Sequence, residues 1–344
     1  MTWMLYGANG YTGELIADLA VRRGHRPVLA GRSAAKVAPL AERLGLEHRV
    51  FGLEDAEQAL ADVDLVVHCA GPFSATSAPM VDACLASGTH YVDITGEIDV
   101  FEAVATRDAE ARAAGVVLLP GAGFDVVPTD CVAAMLKAEL PSATHLDLAF
   151  AAGGGASPGT TKTSVEGSAA GGRARVDGEL RRVRLGHRRR SAAFRSGARD
   201  VGSIPWGDVS TAYRSTGIPN ITTFTVLPGL TGHVQALFAP LLRSSLAQNV
   251  GKALAQRVSG PDEALRGRTR SEVWGEASDA EGHTVSIALT TPNGYDLTAD
   301  AVVRVVDRLL AGDVPAGSHT PSSAFGADFV RTLDGVVVDE PVRA

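Results

Sequence analysis

An α/β fold built on a doubly wound parallel sheet, with a second α+β domain inserted, is what this sequence predicts, on three observations. Short apolar runs alternate with helix-period segments over the first 132 or so residues. A glycine-spaced loop follows the first of those runs. After residue 149 the composition shifts to Gly-, Thr- and Arg-rich sequence with strand-like alternation further on. The length of 344 residues agrees, because single cores stop growing at about 250 residues.

The strands of the first domain are expected at 3–6, 26–30, 48–51, 65–69, 91–94 and 116–119, most of them the apolar runs that a sheet covered on both faces requires. Helices are expected between them, including 14–22, 34–44 and 78–87. In the second domain, strands are expected at 271–274 and 284–289. Near the end, Thr298 is placed to cap a helix with Val302, Val305, Val306, Leu309 and Leu310 on one face, stopping at Gly312. The expected division is 1–132 for the parallel-sheet domain, 133–292 for the α+β domain and 293–344 for a segment packing back on the first. No internal repeat of fixed period occurs.

Composition excludes several classes. With 45% apolar and 21% charged residues the chain is a folded protein, not a disordered or fibrous one. A net charge of −7 argues against general nucleic-acid binding. Three cysteines, Cys69, Cys84 and Cys131, never occur as C-x-x-C, so neither a disulfide framework nor a metal site is expected. No basic-then-apolar leader and no run of about 18 apolar residues is present, and a cytoplasmic location is expected.

The strongest chemical signal is Gly7-Ala8-Asn9-Gly10-Tyr11-Thr12-Gly13, between an apolar strand and a helical run. Gly7 would allow a tight turn, Gly10 the approach of a pyrophosphate to backbone N–H groups, and Gly13 close packing of helix on strand. This Rossmann-type arrangement points to a dinucleotide. An NAD site usually places an acid about 20 residues past the loop to hold the ribose 2′-hydroxyl. No Asp or Glu lies between Asp18 and Glu42, and the second strand instead runs into Arg32, Ser33 and, one turn on, Lys36. That substitution of cations for an acid predicts NADP(H).

Ligands of such sheets sit beyond the carboxyl ends of the strands. Three strand ends therefore become candidates. Cys69-Ala70-Gly71-Pro72-Phe73 follows one, Thr95-Gly96-Glu97 a second, and a loop containing Asp125 a third. Cys69 reads as an inert thiol within an apolar strand.

Together with Tyr91-Val92-Asp93-Ile94, Gly123-Phe124-Asp125-Val126-Val127-Pro128 and the late Tyr295-Asp296-Leu297-Thr298, these motifs identify a resemblance. The chain resembles the saccharopine dehydrogenase-like oxidoreductases, and among them the branch that includes the mycobacterial trans-acting enoyl reductases. The resemblance implies a Rossmann domain, an inserted α+β domain for substrate and dimerisation, and a C-terminal return. It also implies NADPH-dependent hydride transfer to an activated C=C bond of an acyl or polyketide-type substrate, small or carrier-bound, by a homodimer. Reduction of a C=N bond, as in saccharopine chemistry, is the alternative, and a non-catalytic NADP-binding sensor a third reading.

No tyrosine is followed by lysine at the spacing of a Tyr-x-x-x-Lys pair. Asp125 is the candidate proton relay, and Lys162, in a Gly-Thr stretch that resembles the family's cleft-facing segment, the second candidate. A nucleophile elbow at Gly155-Ala156-Ser157-Pro158-Gly159 fits G-x-S-x-G formally, but three glycines and Pro158 predict a flexible loop instead. From Arg173 to Arg199 there are ten arginines against Asp177 and Glu179, a balance of +8 that leaves −15 for the rest of the chain. A solvated face is the plain reading, and a dock for an acidic carrier protein, or for a phosphopantetheine or coenzyme A tail, centred on Arg188, Arg189 and Arg190, the sharper one. The apolar stretch 226–242 reads as a buried or subunit-contact segment.

Overall fold

The computed structural model describes residues 1–155, 157, 171–226 and 260–344. It divides into two compact units, residues 1–125 with 295–325, and residues 126–294 with 326–344. Residues 295–325 of the C-terminal segment belong to the first of these units and residues 326–344 to the second.

In the first unit, strands β1 (Trp3–Tyr6), β2 (Val28–Gly31), β3 (His48–Val50), β4 (Leu65–His68), β5 (His90–Asp93) and β6 (Val117–Leu119) alternate with helices α1 (Tyr11–Arg22), α2 (Ala34–Leu44), α3 (Ala56–Leu60), α4 (Phe73–Ser87), α5 (Ile98–Thr106) and α6 (Asp108–Ala114). Every pairing is parallel, in the order β3-β2-β1-β4-β5-β6, and β15 (Gly317–Ser318) adds an outer strand beside β6. The chain crosses over between β1 and β4, which makes their carboxyl ends the switch point of the sheet. Met4, Leu5, Leu65, Val66 and Val67 are fully buried there, as helices on both faces demand.

Two expected elements differ. Helix α4 starts at Phe73, not residue 78, and runs through Pro79. Thr298 is not a cap: it lies inside the helix α10 (Gly294–Leu310), and its Oγ1 accepts the Phe124 N–H at 3.0 Å. A threonine that satisfies a buried backbone donor across the unit is better placed there than at a solvent-facing helix end.

The second unit is a ten-stranded mixed sheet. Its spine is β7 (His145–Ala151), parallel to β12 (Asn220–Val226) and antiparallel to β13 (Ser271–Ser278), which pairs with β14 (Thr284–Thr291). The strands β8 (Gly172–Val176), β9 (Glu179–Val183), β10 (Arg189–Phe194) and β11 (Gly197–Ile204) form two hairpins beside β12. Helix α7 (Val127–Glu139) packs so closely on β13 that a Cβ at Gly275 would lie 2.7 Å from a Val132 methyl. Among its described residues are also helices α8 (Asp208–Thr216) and α9 (Glu263–Arg268) and the short strands β16 (Val337–Val338) and β17 (Val342–Arg343).

The arginine-rich segment lies on these hairpins, and much of its charge is balanced internally. Arg188 grips Asp147 with two bonds of 2.8 Å, and Arg190 reaches Asp147 at 2.5 Å and Glu276 at 2.7 Å. Arg195 pairs with Asp339, Arg199 with Glu272 and Arg181 with Glu179. Arg188 and Arg190 thus belong to an ion-pair network, while Arg188 remains exposed. Arg182, Arg184 and Arg189 stay exposed, with no ion pair among the described residues.

Candidate functional site

The glycine loop is held by the ends of its neighbouring strands. The N–H groups of Gly7 and Ala8 both donate to the Ala30 carbonyl, at 2.8 and 3.2 Å, and Gly10 N–H donates to Gly7 O at 3.0 Å. Gly7 has φ +82°, and a Cβ on it would stand 2.7 Å from the Ala70 nitrogen. A Cβ on Gly13 would stand 2.5 Å from Gly7 O, whereas one on Gly10 would meet only that same oxygen, at 3.3 Å. Gly7 and Gly13 are therefore required by packing, and Gly10 keeps open space above the loop. Gly10 also caps α1 without any side-chain hydrogen bond. The first-turn N–H groups of a helix lack intrahelical partners, so this end suits a phosphate.

At the end of β2, Gly31 lets the Asn9 amide approach: a Cβ there would be 3.1 Å from Asn9 Oδ1. Arg32 and Lys36 are exposed, and Ser33 occupies the N-cap position of α2 without a side-chain cap bond. No acidic residue stands in the first turn of α2.

At the end of β4, the Cys69 N–H donates to Tyr6 O at 2.8 Å, and the turn Cys69–Phe73 folds toward the glycine loop. Burial raises the Cys69 thiol, which disfavours a thiolate nucleophile. Glu97 accepts the N–H groups of Phe73 at 3.0 Å and Ser74 at 2.8 Å, so its carboxylate is committed to the start of α4. Glu97, expected among the cofactor-contacting residues, thereby holds the preceding turn through the first N–H groups of α4.

Asp93, which sequence reasoning did not single out, organises the ends of β5 and β6. It accepts the N–H groups of Thr95 at 2.9 Å and Gly121 at 2.8 Å and the Tyr91 hydroxyl at 2.6 Å. The Asp-x-Thr spacing was a local turn signal that could have found it. Burial pushes its carboxyl up to about 6, against these three donors, which pull it down. Asp125 lies alongside: a Cβ on Gly96 would be 3.0 Å from Asp125 Oδ2. Two predicted site residues 29 positions apart in sequence are thereby brought together. Part of Asp125 remains open to solvent, yet protein packed around its carboxyl pushes it up to about 6. Tyr295 joins the site from α10, its ring edge-on to Tyr11 at 4.9 Å.

Lys162 lies outside the described residues, as do residues 227–242 of the apolar stretch and Ala156, Pro158 and Gly159 of the G-x-S-x-G match. Elsewhere, Asp279, Glu281 and His283 gather within 4.8 Å on the β13–β14 turn. Asp279 is committed there to Ser142 Oγ and the His283 ring, each at 2.9 Å.

A strand, glycine loop and helix at the switch point of a 3-2-1-4-5-6 parallel sheet define a Rossmann dinucleotide-binding unit. Residues 3–119 match the saccharopine dehydrogenase NADP binding domain. Over 138 residues it is 34% identical to a Mycobacterium tuberculosis protein named as a trans-acting enoyl reductase and, to the same degree, to the trans-acting enoyl reductase of Mycobacterium leprae. Each match covers 37% of this chain and 33% of the relative, so the similarity spans about a third of those proteins. Among solved structures, saccharopine dehydrogenase (L-Glu forming) from Saccharomyces cerevisiae aligns over 100% of this chain and 99% of its own, with a TM-score of 0.65 at 13% identity. That likeness establishes the fold.

Proposed function

We propose that the chain is an NADPH-dependent reductase that reduces an activated C=C bond in an acyl substrate, small or carrier-bound. The observation that carries this reading is the glycine-capped N-terminus of α1, paired with Arg32, Ser33 and Lys36 where an NAD site would hold an acid. The residues fit the cofactor: Gly7 to Gly13 would hold the pyrophosphate, Arg32, Ser33 and Lys36 the 2′-phosphate, and the Cys69–Phe73 and Thr95–Glu97 turns would border the nicotinamide half. When bound, NADPH supplies the hydride. The protein's own part is to hold the acceptor and complete the addition with a proton. Asp125 is the group for that: its raised carboxyl carries a proton closer to neutrality than an ordinary aspartate, beside the Gly96 backbone. The names of the enoyl reductase relatives support C=C reduction, and the saccharopine dehydrogenase type of the NADP domain supports C=N reduction as the second reading. The exposed Arg182, Arg184 and Arg189 are the surface on which an acidic carrier would dock.

NADPH consumption with a panel of enoyl thioesters and imines decides between the two, and binding without turnover on any of them would favour the sensor. Arg32→Ala is expected to weaken NADPH about 10- to 100-fold while leaving NADH within about twofold, since a charge-assisted contact to the 2′-phosphate exists only for NADPH. Equal losses for both nucleotides would remove Arg32 from that role.

A further inference from the structure

His68, the last residue of β4, is fully buried at the switch point between β1 and β4, and no step above uses it. Aromatic rings enclose it on three sides: Tyr6 at 5.6 Å, Phe73 at 5.5 Å and Tyr91 at 6.2 Å between centroids. Its Nε2 lies 3.0 Å from Thr76 Oγ1, and its Nδ1 is buried with no hydrogen-bond partner among the described residues.

The proton arrangement follows from counting donors. The Thr76 hydroxyl has one proton, and it is directed at two carbonyls, Ala70 O at 2.8 Å and Pro72 O at 3.1 Å. The hydroxyl therefore has only lone pairs left for His68, and Nε2 must be the donor. Nδ1 then carries a lone pair, and protonating it would bury an unpaired donor and a charge. Burial accordingly lowers the imidazole to about 3.

What this pair holds is the turn that abuts the glycine loop. The Ala70 nitrogen and the Cys69 carbonyl carbon sit where a Cβ on Gly7 would clash, at 2.7 and 2.8 Å. Glu97 fixes the same turn from its other end, through Phe73 and Ser74. We propose that His68 and Thr76 are positioning residues for the cofactor: His68 Nε2–H orients the Thr76 hydroxyl, which sets the Ala70 and Pro72 carbonyls and so seats the Cys69–Phe73 turn against the phosphate loop. The inference rests on the reading that this turn borders NADPH. Neither side chain touches a reacting atom, because His68 is enclosed and the Thr76 hydroxyl is spent on backbone.

Thr76→Val keeps the shape of the side chain and removes the hydroxyl, while Thr76→Ser keeps the hydroxyl. The valine variant is expected to raise the NADPH dissociation constant about tenfold, the size expected when a buried hydrogen-bonded group loses its partners, with kcat changed less than KM. The serine variant should restore wild-type binding. A valine variant that melts earlier but binds NADPH like wild type would make the pair merely structural and overturn the proposal. Imidazole nitrogen chemical shifts of the wild-type full chain test the arrangement without any substitution. Neutral Nε2–H supports it, and Nδ1–H or an imidazolium at neutral pH contradicts it. A wild-type chain with no NADPH affinity would refute the cofactor reading instead, and leaves the nitrogen shifts to decide the His68–Thr76 arrangement on their own.

Discussion

Gly13→Ala is expected to lower NADPH affinity about 10- to 100-fold. The added Cβ would stand 2.5 Å from Gly7 O and 2.9 Å from both Cα and O of Ala8, all of them backbone atoms of the loop itself. Backbone fixed by the Ala30 carbonyl cannot yield as a flexible side chain would, so the loop or α1 must shift. Overpacking of this kind costs about 1–3 kcal/mol, and each 1.4 kcal/mol expressed at the phosphate is tenfold in binding. Gly267→Ala is the control. It lies in α9 with nothing within 4 Å, and alanine there should stabilise the chain by about 0.5–1 kcal/mol through helix propensity. Fluorescence titration with NADPH and thermal melts separate the two effects. A Gly13→Ala chain that binds NADPH as tightly as wild type would show that the loop does not carry the pyrophosphate.

Asp125→Asn is expected to reduce kcat about 100- to 10,000-fold, the range for losing a positioned general acid, while leaving NADPH binding nearly intact. Its pH behaviour separates this role from a structural one. Burial raises the folded-state value from the ordinary 3.8 to about 6, so the folded chain binds this proton more tightly than the unfolded chain. The group's stabilising contribution is therefore full below about pH 4 and lost as the pH rises through about 6, by at most about 3 kcal/mol. Asparagine cannot ionise, so the variant should melt no earlier than wild type at pH 8 despite its lost activity. Wild-type kcat should fall as the pH rises above about 6, and the residual rate of the variant should not. Full activity in the variant would assign the proton to another group.

Much of the N-terminal unit was legible because its signals are local. Most strands buried on both faces read as apolar runs, and the spacing of Gly13 from Gly7 has a local cause, the crowding of a Cβ there against Gly7 and Ala8 backbone. The second unit was legible as α+β from its composition, with β13 and β14 found from alternation. What escaped was set by distant partners. Helix α4 begins five residues early because Glu97 supplies the cap that Phe73 and Ser74 lack locally. Thr298 serves Phe124, 174 positions away, in place of its own helix end. Arg188 and Arg190 looked like free charge because Asp147 and Glu276 lie 41 and 86 positions from them. Asp125 was found as a residue type on a strand-end loop, but its meeting with Gly96 required the sheet.

The central claim is that the N-terminal unit holds NADPH through a glycine loop and reads its 2′-phosphate at the end of β2. Parallel titrations of the full chain with NADPH and NADH test it most directly. The account predicts NADPH the tighter ligand by about tenfold or more, a preference that fades as salt screens the exposed Arg32 and Lys36. Equal affinities, or tighter binding of NADH, would contradict it.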